Sequence, residues 1–311
     1  MLSIKNVSVE FKGAKVKAVD DFSLDVNDSE RVAIVGETGS GKSVLIVALI
    51  RLLPNNAQVS GQVLLDGEDI LTANADRLHE IRGGVISYVP QGGGGSMNPL
   101  HKIGYQVGEP LMIHKGYTKK EAVAASIPLL EKFNLVPAKE IADAYPHMLS
   151  GGMRQRTMVA MGISAGAKYI LADEPTKGLD DRRVKMVIDT FSQLTDETLL
   201  CVTHDLLFAK AVAKKICVMY AAQQLEYGSA DEIFSDPLHP YTKDLIDAMP
   251  ENGMVYEDRG FAPPHDTYFD EQGGCRYRDR CHFCTERCNN APPVVTVGDR
   301  KVRCWKYASE N

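Results

Sequence analysis

Residues 36–43, GETGSGKS, fit the pattern G-x-x-x-x-G-K-[ST] at every required position. Glycines at that spacing let backbone N–H groups close around phosphate oxygens where a helix begins. The lysine then reaches the β and γ phosphates, and the last hydroxyl can ligate Mg²⁺. Gly36, Glu37, Thr38, Gly39, Ser40, Gly41, Lys42 and Ser43 are therefore candidate nucleotide contacts. Such a site also needs an acidic pair at the end of an apolar strand, and YILADE at residues 169–174 supplies one. Asp173 would hold Mg²⁺ directly or through water, and Glu174 would orient or deprotonate the attacking water. The bland alternatives are a Gly-rich turn with a chance lysine and a surface acidic pair. A strand before the glycines and a helix after them weigh against both.

A third stretch, LSGGMRQR at residues 149–156, offers Ser150, Gly151 and Gly152 as a hydroxyl and two approachable amides at a helix start, where an anion is favoured. Alone it is a weak signal, and its place between the glycine loop and YILADE gives it weight. Five of the seven cysteines crowd between Cys275 and Cys304. Behind a large core in a reducing compartment they point to a metal or cluster site rather than to disulfides. Cys201 and Cys217 stand alone in apolar strands and read as packing residues.

Hydrophobic periodicity outlines the scaffold that carries these groups. LSIKNVSVEF, AVDDFSLDV and RVAIVG read as strands, and GQVLLDGEDI as a hairpin-like segment. From about residue 104 to 165 the pattern is helical with charged faces, as in TKKEAVAASIPLLEKFNL, and reads as a helical insert. KYILADEP and TLLCVTHD, with the helical RRVKMVIDTFSQL between them, restore the βαβ rhythm of a parallel sheet, so the core is α/β. The expected domains are 1–236 for the core and 237–311 for an extension rich in Pro, Gly, charge and Cys.

The 311 residues carry a formal net charge of -6 with no basic stripe, which argues against a nucleic-acid partner. The longest apolar run, residues 44–53, is shorter than the roughly 20 residues of a spanning helix. The N-terminus shows no signal-peptide pattern, and the chain is expected to stay in the cytosol.

With its motifs in this order, the chain resembles the ATP-binding subunit of an ABC transporter over nearly its whole length. The resemblance implies a P-loop NTPase (RecA-like) core with an antiparallel β subdomain, a helical subdomain and a Cys-rich C-terminal extension. It makes Phe11 the aromatic that stacks on adenine, Gln91 a loop glutamine that senses Mg²⁺ and ATP, Gly178, Leu179 and Asp180 the D-loop, and His204 a switch histidine at the γ-phosphate. It also implies a head-to-tail dimer, in which Ser150–Gly152 reach the γ-phosphate held by the partner chain, identical or paralogous.

QGGGGSMNPL at residues 91–100 resembles the Q-x-x-x-x-S-L-N-P form of the peptide-importer branch, with Met97 for Leu and glycines where that branch carries side chains. That loop would be a hinge touching a membrane subunit. HPYTKDLIDAMP at residues 239–250 marks the same branch. Cys275, Cys281, Cys288 and Cys304, spaced C-x5-C-x6-C-x15-C, resemble the motif that holds a 4Fe-4S cluster in oligopeptide and dipeptide importers. Cys284 is an extra thiol that forms C-x2-C with Cys281 and keeps zinc open.

The implied partners are a second ATPase chain, two permease subunits and, indirectly, an extracytoplasmic substrate-binding protein, at the cytoplasmic face of the membrane. The implied function is ATP hydrolysis driving import, most like that of di- and oligopeptides, with nickel or metal-chelate import as the alternative within the branch. A soluble ABC-type ATPase acting on nucleic acid or ribosomes is the alternative from another class. The chain carries no coiled-coil insertion, tandem ATPase domain or basic surface to suggest it.

Overall fold

Side chains that alternate along a strand separate onto opposite faces of a sheet, and this period of two organises the molecule. A computed structural model describes residues 1–91, 96–252 and 273–308. The strands and helices run β1 (Leu2–Phe11), β2 (Lys17–Val26), β3 (Arg31–Val35), α1 (Lys42–Leu49), β4 (Ala57–Leu65), β5 (Glu68–Asp69), α2 (Ala75–Gly84) and β6 (Ile86–Val89). The helices α3 (Ile103–Lys115), α4 (Lys119–Lys132), α5 (Ala138–Asp143) and α6 (Gly151–Ile163) come next without a strand among them. Then come β7 (Tyr169–Asp173), α7 (Asp181–Ser192), β8 (Thr198–Thr203), α8 (Leu206–Val212), β9 (Lys215–Tyr220), β10 (Gln223–Ser229), α9 (Ala230–Ser235), α10 (Pro240–Asp247), β11 (Val294–Val297) and β12 (Arg300–Arg303).

Two sheets result. The smaller is antiparallel in the order β2-β1-β4-β5, and the larger has the order β11-β12-β10-β9-β3-β8-β7-β6. In the larger sheet β9, β3, β8, β7 and β6 pair in parallel, while β10, β12 and β11 add on antiparallel. Every residue of β7 and β8 is buried, as parallel strands covered on both faces require. Ala33, Val35, Ile170, Ala172, Leu199 and Cys201 enter one hydrophobic cluster with the helical insert. Their neighbours Val32, Ile34, Tyr169, Leu171, Leu200 and Val202 enter a second cluster with α1 and the smaller sheet. Cys201 and Cys217 are fully buried packing residues.

Local sequence sets the insert's helices. The TKKE start of α4 forms a capping box, with the Glu121 carboxylate accepting the Thr118 N–H at 2.8 Å and the Thr118 hydroxyl accepting the Glu121 N–H.

The C-terminal segment from residue 273 contributes a hairpin to the main sheet. VVTV and RKVR form a hairpin whose second strand pairs with β10, and Val302 is buried there. Cys275, Tyr277 and Cys288 join the same cluster as the helical insert. Arginines fasten the rest: Arg276 to Asp20 at 2.6 Å, Arg300 to Asp236 at 3.0 Å and Arg303 to Asp21 at 3.3 Å. The segment needs no core of its own because it borrows one.

Glu226 in β10 is 0% exposed, and its carboxylate accepts the N–H groups of Leu238 at 2.8 Å and His239 at 2.9 Å. It thereby fixes the entry to α10. Removing it strands two buried donors at a cost of about 1–3 kcal/mol each. Glu226→Ala is expected to lower the thermal unfolding midpoint by roughly 5 °C or more, and Glu226→Gln, which keeps an acceptor oxygen, by less. Equal midpoints for wild type and Glu226→Ala would show that this anchor is not needed.

Candidate active site

The loop from β3 to α1 is shaped by two close backbone approaches. A Cβ on Gly36 (φ 153°) would lie 2.0 Å from the Met219 carbonyl oxygen, and one on Gly41 (φ 98°) 2.2 Å from that of Ala18. No other residue type fits either position. Lys42, 4% exposed, curls back over the loop and donates from Nζ to the carbonyl oxygens of Gly36 and Glu37, both at 2.8 Å, and to Ser40 Oγ at 3.3 Å. Burial lowers its pKa, and the charges of Glu174, Asp173 and Glu37 oppose that shift. Thr38 and Gly39 lie exposed at the crest of the loop.

Ser43 Oγ donates to Asp173 Oδ1 at 2.7 Å, which joins the start of α1 to the end of β7. Tyr88 Oη donates to the other Asp173 oxygen at 3.2 Å. Burial raises the Asp173 pKa despite these two donors. Two hard oxygens, those of Ser43 and Asp173, within hydrogen-bond reach of each other suit Mg²⁺.

Glu174 takes a left-handed backbone conformation (φ 46°), one of the sparsely populated states that cluster at functional sites. Its N–H donates to the Val202 carbonyl at 2.9 Å, and its side chain is 7% exposed. His204 Nδ1 lies 2.7 Å from Glu174 Oε2, and the His204 N–H donates to the same oxygen at 3.3 Å. The parallel register of Asp173 opposite Val202 places these two residues side by side as both strands end.

Lys42, Ser43, Asp173, Glu174 and His204 thus share one neighbourhood. Ser150 caps α6 by accepting the Met153 N–H at 3.3 Å, and Asp180 caps α7 by accepting that of Arg183 at 3.0 Å. Among the described residues neither is hydrogen-bonded to that group. A Cβ on Gly151 or Gly152 would meet nothing within 4 Å, so packing within this chain does not demand glycine at either. Phe11 ends β1, half-buried against the cluster of the smaller sheet. Gln91 lies just beyond β6 and is exposed, and the glycines at 92–95 expected to form the hinge lie outside the described residues.

Three contacts escaped the sequence reading. Tyr88 carries no motif and reaches Asp173 only through strand pairing. Tyr241 Oη accepts the Glu37 N–H at 3.0 Å, and Arg280 Nη1 lies 3.0 Å from Glu37 Oε1.

The five clustered cysteines line a single cavity of about 760 Å³ together with His239 and Trp305. Burial, with the charges of neighbouring cysteines, pushes the Cys275 thiol up to about 12 and Cys281 up to about 11. Among the described residues no group of three or more His, Cys, Asp or Glu side chains could hold a metal ion. The expected thiols converge, but they do not close around a single ion, and zinc has no ligand geometry here.

Residues 19–177 match the family described as ABC transporter, and residues 225–288 match the oligopeptide/dipeptide transporter C-terminal region. The oligopeptide transport ATP-binding protein OppD of Haemophilus influenzae is 37% identical over 321 residues, covering 100% of this chain and 98% of that protein. A putative peptide import ATP-binding protein of Brucella abortus is 36% identical over 315 residues, covering 98% and 94%. Among solved structures, the ATP-binding cassette MJ0796, a dimer in a post-hydrolysis state bound to ADP and Pi, aligns with a TM-score of 0.65 and 26% identity over 74% of this chain and 99% of its own. The fold agrees with these likenesses, and the chain belongs to the ATPase subunits of the ABC transporter family, with the C-terminal region of its oligopeptide/dipeptide branch.

Proposed function

We propose that this chain energises an importer of di- or oligopeptides from the cytoplasmic face of the membrane. It would pair head to tail with a second ATPase chain beneath two permease subunits, while an extracytoplasmic binding protein delivers the cargo. The observation that carries this reading is the whole-length likeness, cysteine-bearing end included, to ATP-binding proteins named for oligopeptide and peptide import. Among the described residues no helix is long and apolar enough to cross a membrane. Leu100, 81% exposed just before α3, is a suitable contact for a permease.

The roles follow from the resemblance, and the geometry supports those of Lys42, Ser43, Asp173, Glu174 and His204. Lys42 rests on carbonyl oxygens that phosphate oxygens would replace, so it can move to the β and γ phosphates without crossing the loop. The loop amides and the start of α1 would hold the phosphates, Phe11 would stack on adenine, and Ser43, Asp173 and Gln91 would hold Mg²⁺. When bound, the metal would neutralise charge on the transferred phosphoryl group. Glu174 is the general base for the attacking water. His204, fixed by the same carboxylate, would contact the γ-phosphate. Ser150, Gly151 and Gly152 leave open space at the start of α6 that the partner's γ-phosphate can enter, with Asp180 at the same interface.

Cys275, Cys281, Cys288 and Cys304 are assigned to a 4Fe-4S cluster, with Cys284 spare. Their shared cavity supports this, because a cluster of several iron and sulfide ions spans thiols that do not close around a single ion.

Glu174→Gln keeps the side chain's shape but cannot take a proton, and it is expected to lower ATP turnover by about 10²–10⁴-fold while ATP still binds. In vesicles reconstituted with the permeases, uptake of a labelled tripeptide should stop with it. Hydrolysis near the wild-type rate would remove Glu174 as the base. Protein purified without oxygen should be brown, with broad absorption near ~400 nm. Cys281→Ser should lose that colour and Cys284→Ser should keep it. Colourless wild-type protein would refute the cluster.

A further inference from the structure

Glu37 is engaged at three atoms. Its N–H donates to Tyr241 Oη at 3.0 Å, its carbonyl accepts Lys42 Nζ at 2.8 Å, and its carboxylate meets Arg280 Nη1 at 3.0 Å. Two of these partners lie more than 200 residues away, in the C-terminal part of the chain. Arg280 is not a loose surface cation, because its guanidinium lies 5.4 Å from the Tyr277 ring centroid and 5.8 Å from that of Tyr220. Those rings pack on Tyr241 at 5.4 and 4.6 Å. A guanidinium ordered by stacking loses less side-chain freedom in pairing than an exposed one.

A second thread reaches the same loop. Arg276 pairs with Asp20 at 2.6 Å and donates to the Ala221 carbonyl. Ala221 and Ala222 (φ 46° and 68°) form the two-residue turn between β9 and β10, in left-handed conformations where Asn-Gly is the usual choice. The Ala222 N–H donates to the Ser40 carbonyl at 3.1 Å, and its own carbonyl accepts the Asp20 N–H at 2.8 Å. The strained turn is held from the C-terminal side and itself holds the loop.

We propose that the segment Cys275–Arg280 and the start of α10 pre-organise the phosphate loop, with Arg280, Tyr241 and Arg276 as positioning residues for ATP binding. The proposal rests on the reading of Gly36–Ser43 as the phosphate loop. These residues act through Glu37 and the Ala221–Ala222 turn. Fixing the Glu37 peptide before nucleotide arrives reduces the ordering required on binding. Affinity should therefore depend on them more than the chemical step does.

The test measures Kd for Mg²⁺-AMP-PNP by calorimetry, and KM and kcat for ATP, on the full chain. Arg280→Ala, Glu37→Ala and Tyr241→Phe are each expected to raise Kd about threefold to tenfold. The Arg280→Ala/Glu37→Ala double variant should be no weaker than the worse single one. Arg280→Ala and Tyr241→Phe should raise KM while kcat at saturating ATP stays within about twofold, and Arg280→Lys should recover part of the loss. Tyr241→Phe, which removes one oxygen, serves as the test if Arg280→Ala lowers the melting midpoint. An unchanged Kd in both Tyr241→Phe and Glu37→Ala, additive losses in the double variant, or a fall in kcat at constant KM would overturn the proposal. Wild-type protein that binds no nucleotide would overturn the phosphate-loop reading and the proposal with it.

Discussion

Parallel pairing of β3, β8 and β7 is what brings the site together. Strands running the same way end at the same edge of the sheet, and the residues just beyond each strand end gather there. β3 delivers the loop that carries Lys42 and Ser43, β7 delivers Asp173 and Glu174, and β8 delivers His204. A one-residue slip between β7 and β8 would turn Asp173 away from Ser43 and separate Glu174 from His204. The register is protected because both strands are buried on both faces, so a slip would misplace every side chain in two clusters at once.

The same sheet joins the extension to the chemistry. Its antiparallel edge, β10 with β12 and β11, begins at the Ala221–Ala222 turn, which touches the loop Gly36–Ser43 through the Ser40 carbonyl. The C-terminal segment then places arginines on acidic residues of the core. Single exposed ion pairs contribute little. Arg276, Arg300 and Arg303, each with only 11–13% of its side chain exposed, act together with the buried Tyr277 and Val302.

Groups that share a local motif were legible in the sequence. RVAIVGETGSGKS and YILADE each combine a strand with chemistry in one short stretch. The contacts that were not legible are carried by pairing between distant segments. Tyr88 meets Asp173 across 85 residues, and Arg280 meets Glu37 across 243, with nothing in either neighbourhood to announce the contact. The β11–β12 hairpin did leave a signal, VVTV-GD-RKVR, with a Gly-Asp turn between the two strands. Its short, half-polar strands read as tail because only pairing with β10 buries them.

If the strand ends assemble an ATP site around Lys42, calorimetric titration of Mg²⁺-ATP into wild type and Lys42→Ala must register it. Lys42 is the buried cation over the loop, opposite the two carboxylates. Its removal should weaken binding by at least about tenfold, the loss expected for a charge-assisted contact to phosphate. Equal affinities for the two proteins would mean that the ATP site is not built on Lys42.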